Sequence, residues 1–344
     1  MLPSVGVVLT GSSSRTLLPV LRTAGFEIGA VWGPTKQQAQ ELAQELNVAF
    51  YTSKIDELLL REDVDLVCIL CPPYLRAEVA VKALSIGKHV LCEAPAGICG
   101  DEGERMVAAA QYYPKLLSLM KHELRHLPAY VKMKQLIVEG FCGELRICEC
   151  KVELGTLLGQ HYDWLCDHNM GGGVLTNYGC HIIDLMSFLT NKRALEVNGT
   201  LKTFVAETAY IPQFRHITAD DFCAFQMKLA NDIFCTVTLN THIPGRYSQV
   251  VTVVGSKARL SVRNDRLFAA KHGFDEEEIF LHDYRKDSLR MKARAKDSPD
   301  MYLTGTKAWV SAIKRAFEES VDKEDRRSAD LQAIQSAASF DDGM

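Results

Sequence analysis

The sequence predicts an α/β protein of two domains: a helix-covered parallel sheet, then an α+β domain with a large, mostly antiparallel, open-faced sheet. Three observations predict it. Over about the first 120 residues, short apolar runs such as Val5–Thr10 and Leu66–Leu70 alternate with amphipathic stretches, the pattern of parallel strands buried on both faces. After Lys121 apolar and polar residues interleave, as in Arg146–Leu154, which suits strands with one face in a core. A length of 344 residues is also two domains' worth of chain. The expected domains are residues 1–121 and 122–344.

Taken in order, Val5–Thr10 reads as a buried strand, Thr16–Ala24 as a helix and Glu27–Trp32 as a strand. Gln37–Leu46 reads as a helix, Ala49–Tyr51 as a short strand and Leu66–Leu70 as a fully apolar strand. A helix over Arg76–Ile86 is stopped by Gly87, and the strand His89–Cys92 and the helix Asp101–Tyr112 come next. In the second half Ala129–Glu139 is helical up to Gly140. Strands are expected at Arg146–Leu154, Leu195–Val205, Phe222–Leu229, Ile233–Leu239, Gln249–Val254 and Arg259–Val262. Asp275–Asp300 is polar without a sustained period and reads as a mobile loop. Thr306–Glu319 sets Trp309, Ile313 and Phe317 on one side of a helix, and Ser328–Met344 starts as another helix. A sheet face left without helices points to a homo-oligomer, with a dimer favoured.

Composition narrows the classes. The net charge is −4 and no Lys/Arg run exceeds two residues, so neither nucleic acid nor a membrane is an expected partner. The eleven cysteines are odd in number in a large chain, and several lie in apolar runs, which argues for reduced thiols rather than a disulfide framework. The apolar N-terminus lacks a basic leader and is interrupted by Gly11-Ser12-Ser13-Ser14. A cytoplasmic location is therefore expected. The alternative, a secreted matrix-associated protein, draws on that apolar start and on the Asn198-Gly199-Thr200 sequon.

The loop after the first strand runs Thr10-Gly11-Ser12-Ser13-Ser14. In the strand–turn–helix that cradles a dinucleotide pyrophosphate, three glycines shape the turn, admit the phosphates and let the helix pack. Here Leu9, Gly11 and Ser14 occupy those three places. After the second strand comes Trp32-Gly33-Pro34-Thr35-Lys36, with no acid to take a ribose 2′-hydroxyl. Thr35 and Lys36 suit a 2′-phosphate, so NADP(H) is expected in preference to NAD.

The order of this loop, Cys71-Pro72-Pro73, Glu93-Ala94-Pro95, Arg125 with Pro128, Gly171-Gly172-Gly173 and His181 resembles the Gfo/Idh/MocA oxidoreductase family. Phe50-Tyr51-Thr52-Ser53, Gln111-Tyr112-Tyr113-Pro114 and Asp221-Phe222-Cys223 look like its animal glucose–fructose oxidoreductase domain-containing branch. The resemblance implies a Rossmann domain that binds NADP(H) through Thr10, Gly11, Ser12, Ser13, Trp32, Thr35, Lys36, Cys71, Pro72 and Glu93. It also implies a hydride-transfer site with a lysine from a Glu-Lys-Pro segment and an aspartate and histidine from Asp-x-x-x-His. This chain keeps His181 but has Ala94 for the lysine and Asn177 for the aspartate. Losing an ammonium that stabilises a developing alkoxide costs roughly 10²–10³-fold. A sugar- or polyol-dehydrogenase-like protein with weak or lost redox activity is the expectation. The alternative is an active enzyme that uses His181 with Tyr178 or Tyr162 on a sugar-like substrate.

Two motifs are set aside. His122-Glu123-Leu124-Arg125-His126 has zinc-ligand spacing but is expected in extended chain, where the two imidazoles stand about 13 Å apart. Cys68-Ile69-Leu70-Cys71 lies in a buried strand rather than at a helix start. No metal site is expected. The triple glycine Gly171–Gly173 is read as a close approach to the cofactor or the Rossmann domain.

Overall fold

The computed structural model describes residues 2–10, 14–208, 211, 216–245, 247–281, 300–320 and 331–343. They form two compact units: one holds the described residues up to Glu123 and from Leu303 onward, the other those from Leu124 to Tyr302. The chain therefore returns to its first unit at the end, where a single division at residue 121 was expected.

In the first unit β1 (Val5–Leu9), α1 (Ser14–Ala24), β2 (Ile28–Trp32), α2 (Lys36–Glu45), β3 (Phe50–Thr52) and α3 (Ile55–Leu59) come in turn. The next elements are β4 (Leu66–Leu70), α4 (Pro73–Ser85), β5 (His89–Glu93), α5 (Gly100–Tyr112) and β6 (Ser118–Lys121). The six strands are all parallel, in the order β6-β5-β4-β1-β2-β3. Every residue of β1 and β4 is buried, as continuous apolar runs require. α4 begins three residues before its expected start because Pro73 occupies a first-turn position, where a missing N–H costs nothing. β6 was not anticipated: Ser118 breaks its apolar run, and Lys121 ends it.

A 3₁₀ turn at Glu123–His126 spans the division, and the second unit continues with α6 (Pro128–Val138), β7 (Leu145–Glu153), α7 (Cys180–Thr190), β8 (Ala194–Lys202) and β9 (Phe222–Leu229). β10 (Ile233–Asn240), β11 (Ser248–Gly255), β12 (Ala258–Arg263), β13 (Arg266–Lys271) and β14 (Glu277–Leu281) complete it. The eight-stranded sheet is ordered β14-β13-β12-β11-β7-β10-β9-β8. Only β7 and β10 pair in parallel; the other neighbours are antiparallel. One face is covered by α6 and α7, whose Tyr130, Met133, Ile182, Leu185 and Met186 pack on Cys148, Cys150, Phe225, Val237 and Val251. The opposite face carries exposed Ile147 and Phe234, which are register partners, and all nine residues of the edge strand β8 are exposed. β14 falls at the start of the stretch expected to be a loop: Glu277–Leu281 pairs with β13, which supplies hydrogen bonds that its polar sequence does not advertise. Residues 282–299 of that expectation lie outside the described residues.

α8 (Asp300–Ser320) matches the expected last helix, and Trp309, Ile313 and Phe317 are all buried. A further helix was expected to start at Ser328, but residues 328–330 lie outside the described residues, and residues 331–343 form no α-helix. A 3₁₀ turn at Gln332–Ile334 precedes β15 (Ala338–Ser339), which pairs antiparallel with β6. β6 would otherwise present an unpaired edge, and two residues suffice to cover it.

Candidate functional site

The strand order of the first unit reverses direction between β1 and β4. In open α/β sheets ligands bind outside the carboxyl ends of the strands at such a point. Thr10 stands at the end of β1, while Gly11, Ser12 and Ser13 lie outside the described residues. Two polar atoms at this edge are buried without a hydrogen-bond partner among the described residues: Thr10 Oγ1 and, at the end of β2, Trp32 Nε1. A bound ligand with donors and acceptors would satisfy both. Gly33 comes next with no room for a side chain, since a Cβ there would stand 2.8 Å from Ala39 N. Thr35 caps α2, accepting from Gln38 N at 3.2 Å, which commits its hydroxyl locally. Lys36, the first residue of α2, is exposed beside the free N–H groups of that helix end.

Next across the sheet, Cys71 and Pro72 follow β4, and Glu93, Ala94 and Pro95 close β5, with a cis Ala94–Pro95 peptide. Two buried cations hold these turns. Arg76 of α4 donates from Nε to Cys71 O and from Nη1 to Pro95 O, both at 2.8 Å. Lys121, the register partner of Glu93, sets its Nζ 2.9 Å from Glu93 Oε1 and 2.9 Å from Glu123 Oε1. Burial by itself would lower the Lys121 pKa, but the charges of Glu123 and Glu93 outweigh it and hold it above the usual lysine value. Neither cation is evident from the sequence. The available signals were an arginine on the buried face of α4 and a lysine closing an apolar run.

In the second unit His181 is buried on α7, with its ring 6.3 Å from that of Tyr302 in an edge-on arrangement. A π-helical turn, Leu175–Gly179, precedes α7, a distortion common at functional positions. Asn177 lies on it, and its Nδ2 donates to Gly173 O at 2.8 Å. Around His181 the hydroxyls form a network. Gln249 Nε2 donates to Tyr130 OH at 2.6 Å, Tyr302 OH donates to Gln249 Oε1 at 3.3 Å, and the hydroxyls of Tyr247 and Tyr302 are 3.0 Å apart. Tyr178 and Tyr247 are half-buried, with ring centroids 6.3 Å apart. Tyr162 is elsewhere in this unit, packed on Cys166, Ile211, Ile217 and Ala219.

Within its own unit, the triple glycine is held in close backbone packing. A Cβ on Gly172 would sit 2.5 Å from Leu165 O, and one on Gly173 2.0 Å from Asp220 Oδ1, at φ +115°. Asp220 is buried and accepts from Leu175 N at 2.8 Å. Burial raises its pKa, and the backbone N–H of Leu175 partly opposes that. Within the His122–His126 segment, Glu123–His126 is a 3₁₀ turn rather than extended chain. With three residues per turn, positions four apart do not share a face, and no metal-binding cluster exists among the described residues. Arg125 from this turn makes a buried bidentate pair with Asp184 instead, Nη2 to Oδ1 at 2.6 Å. Burial pushes the Cys68 thiol up to about 12 and that of Cys71 to about 11, which leaves the Cys-x-x-Cys pair unreactive.

A six-stranded parallel Rossmann sheet, joined in one chain to a mixed sheet backed by α7 with His181, defines a nucleotide-binding oxidoreductase fold. The chain belongs to the Gfo/Idh/MocA family: residues 4–120 match its oxidoreductase, NAD-binding Rossmann domain and residues 130–261 its C-terminal domain. It is 48% identical over 344 residues to mouse glucose-fructose oxidoreductase domain-containing protein 1, an alignment that covers 99% of this chain and 87% of the relative. Among solved structures, an oxidoreductase domain protein from Kribbella flavida superposes with a TM-score of 0.81 at 22% identity, covering 99% of this chain and 93% of that one. Levoglucosan dehydrogenase in complex with NADH and L-sorbose superposes with a TM-score of 0.77 at 19% identity, covering 91% and 90%.

Proposed function

We propose that this protein binds NADP(H) on its Rossmann unit and has a sugar- or polyol-dehydrogenase-like site whose redox activity is weak or lost. The observation that carries the second half is Asn177. Where the family resemblance calls for a carboxylate beside the histidine, this chain has an amide turned back onto Gly173 O. Ala94 removes the ammonium of the Glu-Lys-Pro segment, and the lysine that reaches Glu93 from the next strand is tied to two carboxylates. Of the three groups the resemblance implies, the sequence keeps only His181. Steady-state assays of the full chain with NADP⁺ and a panel of sugars, inositols and polyols are expected to give no turnover while the cofactor binds. Robust NADPH formation that His181→Ala abolishes would overturn the impaired reading in favour of the alternative with Tyr178, whose ring lies near Tyr302.

The residues that would hold the cofactor are Thr10 with the Gly11–Ser13 loop, Trp32 and Lys36 on the adenosine side, and Cys71, Pro72 and Glu93 on the nicotinamide side. Bound, the cofactor supplies hydride acceptance or donation; the chain supplies binding and orientation. The orphaned Thr10 Oγ1 and Trp32 Nε1 support this reading. The preference for NADP rests on the absent acid after β2 and on Lys36, with Thr35 acting through its cap. Levoglucosan dehydrogenase was solved with NADH, so calorimetric titration with both cofactors is the deciding measurement. NADP is expected to bind more tightly, and Lys36→Ala to narrow the gap.

The exposed face of the mixed sheet is proposed to pair with a second copy of the chain. A cytoplasmic location is proposed from the composition. The sequon at Asn198 lies on the exposed strand β8, so an intact mass free of sugar is expected for the native protein, and glycosylated Asn198 would support the secreted alternative.

A further inference from the structure

The Glu93-Ala94-Pro95 segment is gripped from two sides by buried cations, although its own lysine is missing. Arg76 fixes the carbonyl of Pro95, and Lys121 fixes the carboxylate of Glu93. Three charges at the end of β5 and β6, with side chains only 5–13% exposed, are an unfavourable way to stabilise a fold. Apolar residues of similar volume generally do as well or better. The cluster also occupies a particular place. Glu93 and Lys121 are register partners at the carboxyl ends of adjacent parallel strands, on the β4-β5-β6 side of the switch point. The adenosine ribose is met at the end of the second strand, so the β4-β5-β6 half is the one that faces the nicotinamide half of a dinucleotide.

We infer that Lys121 is a positioning residue for the nicotinamide half of the cofactor: it holds the Glu93 carboxylate fixed in direction as the acceptor for a hydroxyl or amide of that half. The inference rests on the nucleotide-binding reading above. In place of the lysine that the segment lacks, the neighbouring strand supplies an ammonium that acts on the segment's glutamate rather than on a substrate. The role needs a cation with two carboxylate partners and a fixed stem. The stem is fixed by burial, and the partners stand at 2.9 Å each.

The test separates the two halves of the ligand. The full chain is titrated calorimetrically with NADPH and with adenosine 2′,5′-bisphosphate, which carries the adenosine half without the nicotinamide or its ribose. Lys121→Met is expected to weaken NADPH about tenfold, the scale of one lost charge-assisted hydrogen bond. Affinity for adenosine 2′,5′-bisphosphate is expected to stay within about twofold, inside the few tenths of a kcal/mol by which distant sites usually fail to be independent. Lys121→Arg is expected to recover most of the loss, because a guanidinium can bridge both carboxylates. If Lys121→Met alone does not fold, Lys121→Met with Glu123→Gln removes one of the two buried negative charges along with the cation and is expected to give the same selective loss. Unchanged NADPH affinity in the folded variant, or an equal loss for both ligands, overturns the inference and leaves the cofactor reading standing. A native chain that binds neither ligand overturns both.

Discussion

The side-chain amide of Asn177 donates to Gly173 O at 2.8 Å, and an ionised carboxylate in its place has no proton for that bond. Asn177→Asp would set two acceptor oxygens against each other. It is expected to lose about 1–3 kcal/mol, more than Asn177→Ala, with urea midpoints as the check. Restoring the family pattern with Ala94→Lys and Asn177→Asp therefore carries a stability cost as well as the prospect of activity. The Arg125–Asp184 pair is a second residue-scale case. Both side chains are buried, and the guanidinium grips the carboxylate through Nε and Nη2. Arg125→Met leaves Asp184 buried without its cation and is expected to cost about 3–5 kcal/mol. Adding Asp184→Leu should recover part of it, and a double variant no more stable than the single would show that the pair is not what Arg125 contributes.

At the scale of elements, β5 and β6 are joined by an acid-sensitive link. Leu117 N donates to His89 Nδ1 at 2.9 Å, so that nitrogen must be unprotonated. Burial pushes the His89 pKa down to about 4, with the Asp65 charge opposing, from an ordinary 6.5. As pH falls below 6.5 the unfolded chain takes up a proton that the folded chain refuses until about pH 4. Stability is full above that window and is lost through it, by up to about 3 kcal/mol. His89→Asn keeps an acceptor without a titrating group and is expected to flatten the urea midpoint between pH 6.5 and 4. An unchanged slope would exclude His89 as the source. The strands themselves differed in how plainly they could be read. β1 and β4 are continuous apolar runs and were legible. β14 was not, because Glu277-Glu278 sits at a sheet edge where pairing rather than apolar content makes the strand.

For the molecule as a whole, two measurements bear on surface and interior. Nine of the eleven cysteines are buried, Cys180 is intermediate and Cys99 is exposed. Native protein is expected to react rapidly with a bulky thiol reagent at Cys99, slowly at Cys180, and at the rest only on unfolding. Early modification of Cys68 or Cys235 would contradict this core. On the free face of the mixed sheet, Ile147 and Phe234 lie side by side, each 42% exposed. Ile147→Lys with Phe234→Asp is expected to convert a dimer to monomer in light scattering. A native chain that is already monomeric would remove the proposed pairing.

Sequence alone determined the layer architecture, because the hydrophobic period that separates parallel from antiparallel strands is a local property of the chain. It determined the family through ordered motifs, and it identified Ala94 and Asn177 as departures, since a missing ammonium or carboxylate is visible without coordinates. Only the tertiary structure decided where the departing residues turn and what stands in their place. Lys121 meets Glu93 from 28 residues away, Arg125 meets Asp184 from 59, and the chain from Leu303 rejoins the first unit. The physical reason is the same in each case. Buried charges and edge strands must find partners, and the partner is chosen by which strands lie side by side rather than by which residues are neighbours in the chain.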